Sequence, residues 1–239
     1  MLELHAAPDA LGILGDVVLE PVEDALHKGV DDDVLRAFGG KKNRIQIGVP
    51  QTVDVLARWP GDQGLQADAD LMRDDFDFYA VRLACSFVPD RGCKFLWARM
   101  TATLASDDAA AVPIAFDLFP RDIGDVRTFK RTYGVSPKLK FAFAEVGAEA
   151  GHEEEVLRYE PQLTVAGLLT GEPTWTFEAT GRTGLAGSRE LFMLAKKPHG
   201  STLRARFSVG AEVQTYAGRI PLIRARDDDV LARAYELQP

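Results

Sequence analysis

The sequence predicts an all-β protein, mainly an antiparallel β-sandwich or a barrel-like closure of the same strands, with short N- and C-terminal helices. Three observations carry this prediction. Apolar and polar residues alternate with a two-residue period in segment after segment from about Asn43 to Arg226. The connections between these segments are too short for crossover helices, which a parallel sheet would need. Helical spacing is confined to the two ends of the chain. The clearest alternation runs from Thr202 to Tyr216, where Leu203, Ala205, Phe207, Val209, Ala211 and Val213 share one parity and Arg204, Arg206, Ser208, Glu212 and Gln214 the other. Successive strand side chains point to opposite faces, so such a segment has one dry and one wet face.

Residues 1–42 are expected to be a helical or irregular segment packed on the sandwich. Pro21 can start a helix on which Val22, Ala25, Leu26 and Val30 fall near helical spacing. Asp31, Asp32 and Asp33 then supply a cap and negative charge at a helix N-terminus, Val34, Leu35 and Phe38 an apolar stripe, and Gly39-Gly40 the stop.

Residues 43–226 are expected to form the sandwich domain. Its first strand, Ile45 to Trp59, is interrupted by Pro50, which suits an edge or a bulge. Phe78 to Val88 and Cys93 to Ala105 both alternate, and Pro89-Asp90-Arg91-Gly92 between them is turn chemistry, so the two read as a hairpin. Val112 to Phe119, Lys138 to Val146, Val156 to Leu169, Thr174 to Thr180, Glu190 to Lys196, Thr202 to Tyr216 and Arg219 to Arg224 complete the strands. Residues 227–239 are expected to form a short helix, because Asp227-Asp228-Asp229-Val230-Leu231 repeats the capped grammar of Asp31 to Leu35. Two helices using the same cap explain that echo without any duplication of the chain.

The chain has 239 residues, a formal net charge of −8 and a sequence pI near 5.1. A chain of this length buries a sizeable core without a metal or disulfide. The acidic balance argues against nucleic acid, whose affinity comes from clustered Lys and Arg. Met1 to Ala10 lacks a basic and then apolar leader pattern, and no stretch reaches the roughly 20 apolar residues of a membrane span. A soluble, cytoplasmic protein without stable membrane insertion is expected. Cys85 and Cys93 are the two cysteines; hairpin register would set Cys85 opposite about Leu96, so two free thiols are expected.

Chemistry-bearing residues are scattered. His5, His27, His152 and His199 have no second histidine or cysteine at metal-ligand spacing. The acidic stretch that includes Asp68, Asp70, Asp74 and Asp75 offers oxygen ligands for calcium, but without the glycine and terminal glutamate of an EF-hand loop; a solvated acidic loop is the plainer reading. Gly181 to Gly187 lacks the Lys-Ser/Thr ending of a phosphate loop and precedes a strand, so a hairpin loop is expected. Ser188 does not stand in a nucleophile elbow. No cofactor is expected. The basic stretch Arg127, Lys130, Arg131, Lys138 and Lys140, interleaved with Phe129 and Tyr133, is the leading candidate binding surface, and Trp97 stands on the parity opposite to the aliphatic run of its strand.

These observations point to a non-catalytic module that binds a protein partner through loops, strand edges or terminal helices. The alternative is a carbohydrate or ester hydrolase whose carboxylates, such as Glu145, Glu160 and Glu178, are assembled by the fold. A third reading is a pore-forming-like protein using Tyr79 to Leu104 or Thr202 to Arg224 as an amphipathic hairpin.

Overall fold

The structure is a computed structural model that describes residues 12–21, 31–55, 72, 74–123, 162–179, 184–224 and 234–237. It is an antiparallel β-sandwich, with one short helix described in full among these residues. The front sheet contains β1 (Ile13–Pro21), β2 (Arg44–Gly48), β3 (Gln51–Asp54), β4 (Phe76–Val88), β6 (Ile114–Phe119) and β10 (Gly187–Pro198). The back sheet contains β5 (Lys94–Ala105), β7 (Asp122–Ile123), β8 (Gln162–Ala166), β9 (Thr174–Glu178), β11 (Arg204–Gln214), β12 (Arg219–Arg224) and β13 (Tyr235–Glu236).

Strand order runs β6-β10-β4-β2-β1-β12-β11-β5-β9-β8-β7, with β3 on β4 and β13 on β11. Strand β1 belongs to both sheets. Its first residues pair with β2, Asp16 opposite Gln46 and Val17 opposite Ile45, while Leu19, Glu20 and Pro21 pair with Arg224, Ile223 and Leu222 of β12. Strands that switch sheets in this way make the corner of a sandwich. At the far edges the chain crosses again, from β6 through Pro120 and Arg121 into β7. Strands β6 and β7 do not pair, so the path stays open and no barrel closes.

Residues 13–21, which the sequence suggested were helical or irregular, are therefore a strand. Val17 and Leu19 are buried while Asp16, Val18 and Glu20 face outward, a two-residue period too brief to separate from helical spacing. Pro21 is the last residue of this strand, where its missing N–H is tolerated. The expected helix over 22–30 lies outside the described residues. The helix at 32–38 is present as α1 (Asp32–Phe38), with the Asp31 carboxylate accepting from the Asp33 N–H at 3.0 Å and the Gly39 N–H donating to Leu35 O and Arg36 O. At the C-terminus, Tyr235–Glu236 form β13 against Arg204 and Ala205 of β11, and the Leu237 N–H donates to Leu203 O at 2.8 Å. Strand β12 covers only Gly210 to Gln214 of that edge, which leaves the Arg204 end in need of backbone partners. The remainder of the expected C-terminal helix lies outside the described residues.

The two strands on either side of Pro89 to Gly92 do not form a hairpin. Strand β4 pairs with β10, β2 and β3, and β5 pairs with β11 and β9, so the turn carries the chain from the front sheet to the back sheet. A turn reverses the chain, closed here by Cys93 N–H to Asp90 O at 2.9 Å, but it does not choose the hydrogen-bonding partner. Pro50 behaves as expected of a bulge: Ile47 is opposite Cys85 and Gln51 opposite Arg82, one extra residue on the Pro50 side.

Between the sheets lies one core. Phe87 meets Phe177 edge-on at 5.0 Å between centroids and Phe95 at 5.9 Å, joining front to back, with Trp175, Met100 and Leu83 fully buried nearby. The front sheet is also buried on its outer parity at Phe78, Ala80, Phe192 and Leu194, whereas the back sheet alternates buried and open. Helix α1 seals one end of the sandwich through Val34, Ala37 and Phe38.

Gly218 sits against that helix. A Cβ there would come within 2.7 Å of Val34 Cγ2, and valine has little rotamer freedom to yield. Gly218→Ala is expected to lower stability by about 1–3 kcal/mol, and Val34→Ala in the same chain to recover part of that loss relative to the sum of the single changes. A double-mutant cycle by chemical denaturation measures this.

Candidate functional site

The leading sequence candidates are not brought together where they can be described. Arg127, Phe129, Lys130, Arg131, Tyr133, Lys138 and Lys140 lie outside the described residues, as do Asp68 and Asp70 and the carboxylates Glu145 and Glu160. Asp74 and Asp75 stand on a turn before β4, and the Asp75 carbonyl accepts the His199 N–H at 2.8 Å. Among the described residues no group of three His, Cys, Asp or Glu side chains is placed to hold a metal ion. The expectation of free thiols agrees with the structure: Cys85 is buried, and Cys93 is partly exposed.

Three surface features are built by the fold instead. The first is a charged cluster where β4 and β10 run side by side, with Lys197 opposite Asp77. Lys197 Nζ donates to Asp77 Oδ2 at 2.6 Å, and His199 Nδ1 lies 2.7 Å from Asp77 Oδ1. The lysine is almost wholly buried and the imidazole exposed. Burial pushes the Asp77 carboxyl up, but the hydrogen bonds from Lys197 and His199, together with their charges, outweigh it and hold the group below its ordinary value. An ionised Asp77 only accepts, so His199 Nδ1 is the donor. Tyr79, next on the same parity, is raised by burial and by the charges of Asp77 and Asp54. Farther along the front sheet, buried Arg82 pairs with Glu190 and donates to Gln51 Oε1 at 3.2 Å. The lowered Asp77 is a fixed ion-pair partner; a proton-donating acid needs the opposite shift.

The second feature is the loop end. The β8–β9 loop is held by Thr170 Oγ1 donating to Gly167 O at 2.7 Å and by Glu172 N–H donating to Thr170 Oγ1 at 3.1 Å. Gly167 has φ +77, and a Cβ there would sit 2.2 Å from Glu172 O, so no other residue fits. Leu169 has φ +61 and is the one non-glycine with positive φ among the described residues. Its N–H donates to Ala115 O at 2.8 Å, and the Ala115 N–H donates to Thr170 O at 2.8 Å, which fastens the loop to β6. Leu168, Leu169 and, on the adjoining segment, Val112 are 38%, 58% and 57% exposed.

The third is the outer face of the back sheet. Register aligns Glu178, Trp97 and Glu212 across β9, β5 and β11, and in the following rows Thr176 with Arg99, then Thr174, Thr101 and Ser208. A bulge at Leu96, where Phe95 is opposite Val213 and Trp97 opposite Glu212, turns Phe95 inward while keeping Trp97 outward. The Arg99 guanidinium lies 5.0 Å from the Trp97 ring centroid. On the same face, toward α1, Gly92, Cys93, Lys94, Gln214, Thr215 and Tyr216 line a groove of about 480 Å³.

No known protein family model matches this chain, and no curated protein does. No helix among the described residues is long and apolar enough to cross a membrane. Of the two segments with the length of an amphipathic pore hairpin, Tyr79 to Leu104 is split between the sheets, and Thr202 to Arg224 is paired as β11 and β12 inside the back sheet.

Of the three features only the third gave any signal in the sequence. Asp77 and His199 are 122 positions apart and meet only through pairing of β4 with β10. Leu169 looked like the end of a strand. Trp97 alone gave a signal, by its parity.

Asp77→Asn is expected to cost about 3 kcal/mol, because it leaves the buried Lys197 ammonium without its counter-charge, whereas Lys197→Met replaces that charge with apolar volume and should cost less. The Asp77 carboxyl is held low in the fold, so its contribution is complete above the unfolded value of 3.8 and declines as pH falls through the lower folded value. Denaturation curves across acidic pH should show this decline in the parent and not in Asp77→Asn. The Cys85 thiol is pushed up to about 12 by burial. A thiol reagent at neutral pH should therefore label Cys93 in the folded protein and reach Cys85 only on unfolding, as counted by mass spectrometry.

Proposed function

We propose that this chain is a non-catalytic β-sandwich module that binds a protein partner through the loop end of the sandwich. The observation that carries this reading is the exposed apolar group Val112, Leu168 and Leu169 on two fastened segments. Apolar side chains grouped on the surface favour contact with another protein, and loops presented by a rigid scaffold are the usual place for it. Leu169 adds weight. A left-handed backbone costs a leucine roughly 1–2 kcal/mol that glycine or asparagine would avoid, so the apolar side chain stands where backbone preference opposes it.

Leu169→Asn separates the two demands. It relieves the backbone and removes the apolar contact, so the variant should melt at or above the parent temperature while a partner that co-purifies stoichiometrically with the parent from its own cells is lost. Val112→Asp should lose the same partner. Equal recovery of that partner by the parent and both variants would rule out the loop end as the binding surface.

A further inference from the structure

We infer that the partner of the loop end is a basic amphipathic segment, one that presents apolar side chains flanked by lysine or arginine. This deepens the loop-end reading and rests on it. The two segments that carry Val112, Leu168 and Leu169 abut. Val112 Cγ1 lies 3.6 Å from the place a Cβ would take on Gly171, and the Leu104 N–H donates to Gly171 O at 2.7 Å. With the Leu169 N–H bonded to Ala115 O, the exposed apolar side chains sit on one fastened surface, which exposed Ala109 and Ala110 extend.

Charge on these two segments has one sign. No Lys, Arg or His stands between Arg99 and Arg121 or between Arg158 and Arg182, whereas Asp107, Asp108 and Glu172 lie within a few residues of the apolar side chains. Asp108 and Glu172 are exposed and have no ion-pair partner among the described residues. The Asp108 carboxylate accepts the Ala110 N–H at 2.9 Å, which fixes its charge beside the patch. Described cations that other elements bring to this end are mostly engaged: Arg204 with Asp107, Lys197 and His199 with Asp77, and Lys196 over the rings of Phe76 and Phe116. Arg206 is the exception. It stands beyond β5, because Thr103 faces Arg206 on one side and its neighbours Ala102 and Leu104 bond the Gly171–Pro173 loop on the other. That is two strand spacings, roughly 10 Å, from Glu172. An apolar patch with an uncompensated carboxylate on each of its segments is complementary to apolar and cationic groups offered together, and the net charge of −8 speeds encounter with such a partner. A second copy of this chain would set the carboxylates against each other, and an anionic lipid surface would meet the same repulsion.

The probes are the basic amphipathic peptide LKKLLKLLKKLLKL and its acidic counterpart LEELLELLEELLEL, each labelled with fluorescein and titrated with the full chain by anisotropy. The basic peptide is expected to bind saturably with Kd below about 100 μM, at least about tenfold tighter than the acidic one. Raising NaCl from about 50 to about 500 mM should weaken it at least about fivefold. Asp108→Asn combined with Glu172→Lys reverses the local charge, while asparagine keeps an acceptor for the Ala110 N–H. This variant should melt like the parent and bind the basic peptide at least about tenfold more weakly, as should Leu169→Asn. Parent-like binding by either variant, equal binding of the two peptides, or a parent dimer in sedimentation that Leu169→Asn dissociates overturns the inference. The loop-end reading fails separately. A co-purifying partner that is lost with Leu169→Asn but kept by the charge variant leaves the loop end as the binding surface and removes only the basic partner.

Discussion

The two sheets are tied to one another by a strand that hydrogen-bonds to both. Strand β1 completes the front ladder with β2 and then, within the same nine residues, the back ladder with β12. Backbone donors and acceptors taken from water must be paired, so this shared strand fixes the relative position of the layers as firmly as it fixes its own. The crossing from β6 to β7 adds a covalent tie at the opposite edges. With both margins held, the inward faces close on each other, and the Phe87, Phe95 and Phe177 contacts follow.

That closure leaves the layers unequal. In the front sheet the run Leu191 to Ala195 is buried residue by residue, so both faces of β10 are dry. Charges placed there have to be paired, as Arg82 is with Glu190 and Lys197 with Asp77. The back sheet keeps one face open, and its outward positions carry hydroxyls, carboxylates and a tryptophan that the core does not require. Among the described residues the front sheet is thus dry on both faces along β10, while the outer back face stays open.

Recognition of strands did not amount to recognition of their partners. The alternation of β4 and β5 predicted both strands within two residues of their bounds. The polar turn between them could close a hairpin or carry the chain across the core with equal local chemistry. The competition for edges decided it, since β10 and β2 satisfy β4, and β11 and β9 satisfy β5. The same limit hid β1, whose short alternation gained its meaning only from two neighbours distant in sequence, and β13, which exists because the end of β11 needed a partner.

Local periodicity and capping chemistry, which act over a few residues, by themselves determined that the molecule is antiparallel β, where most of its strands lie, that Pro50 breaks one of them, and that Asp31 caps a helix. The tertiary structure alone decided which strands share a sheet, and with that the placement of Asp77 beside His199, of Glu178 and Glu212 on either side of Trp97, and of Leu169 on an outward loop. Such neighbours arise from pairing between segments far apart in the chain, where edge hydrogen bonding and closure of a single core are settled for all strands at once.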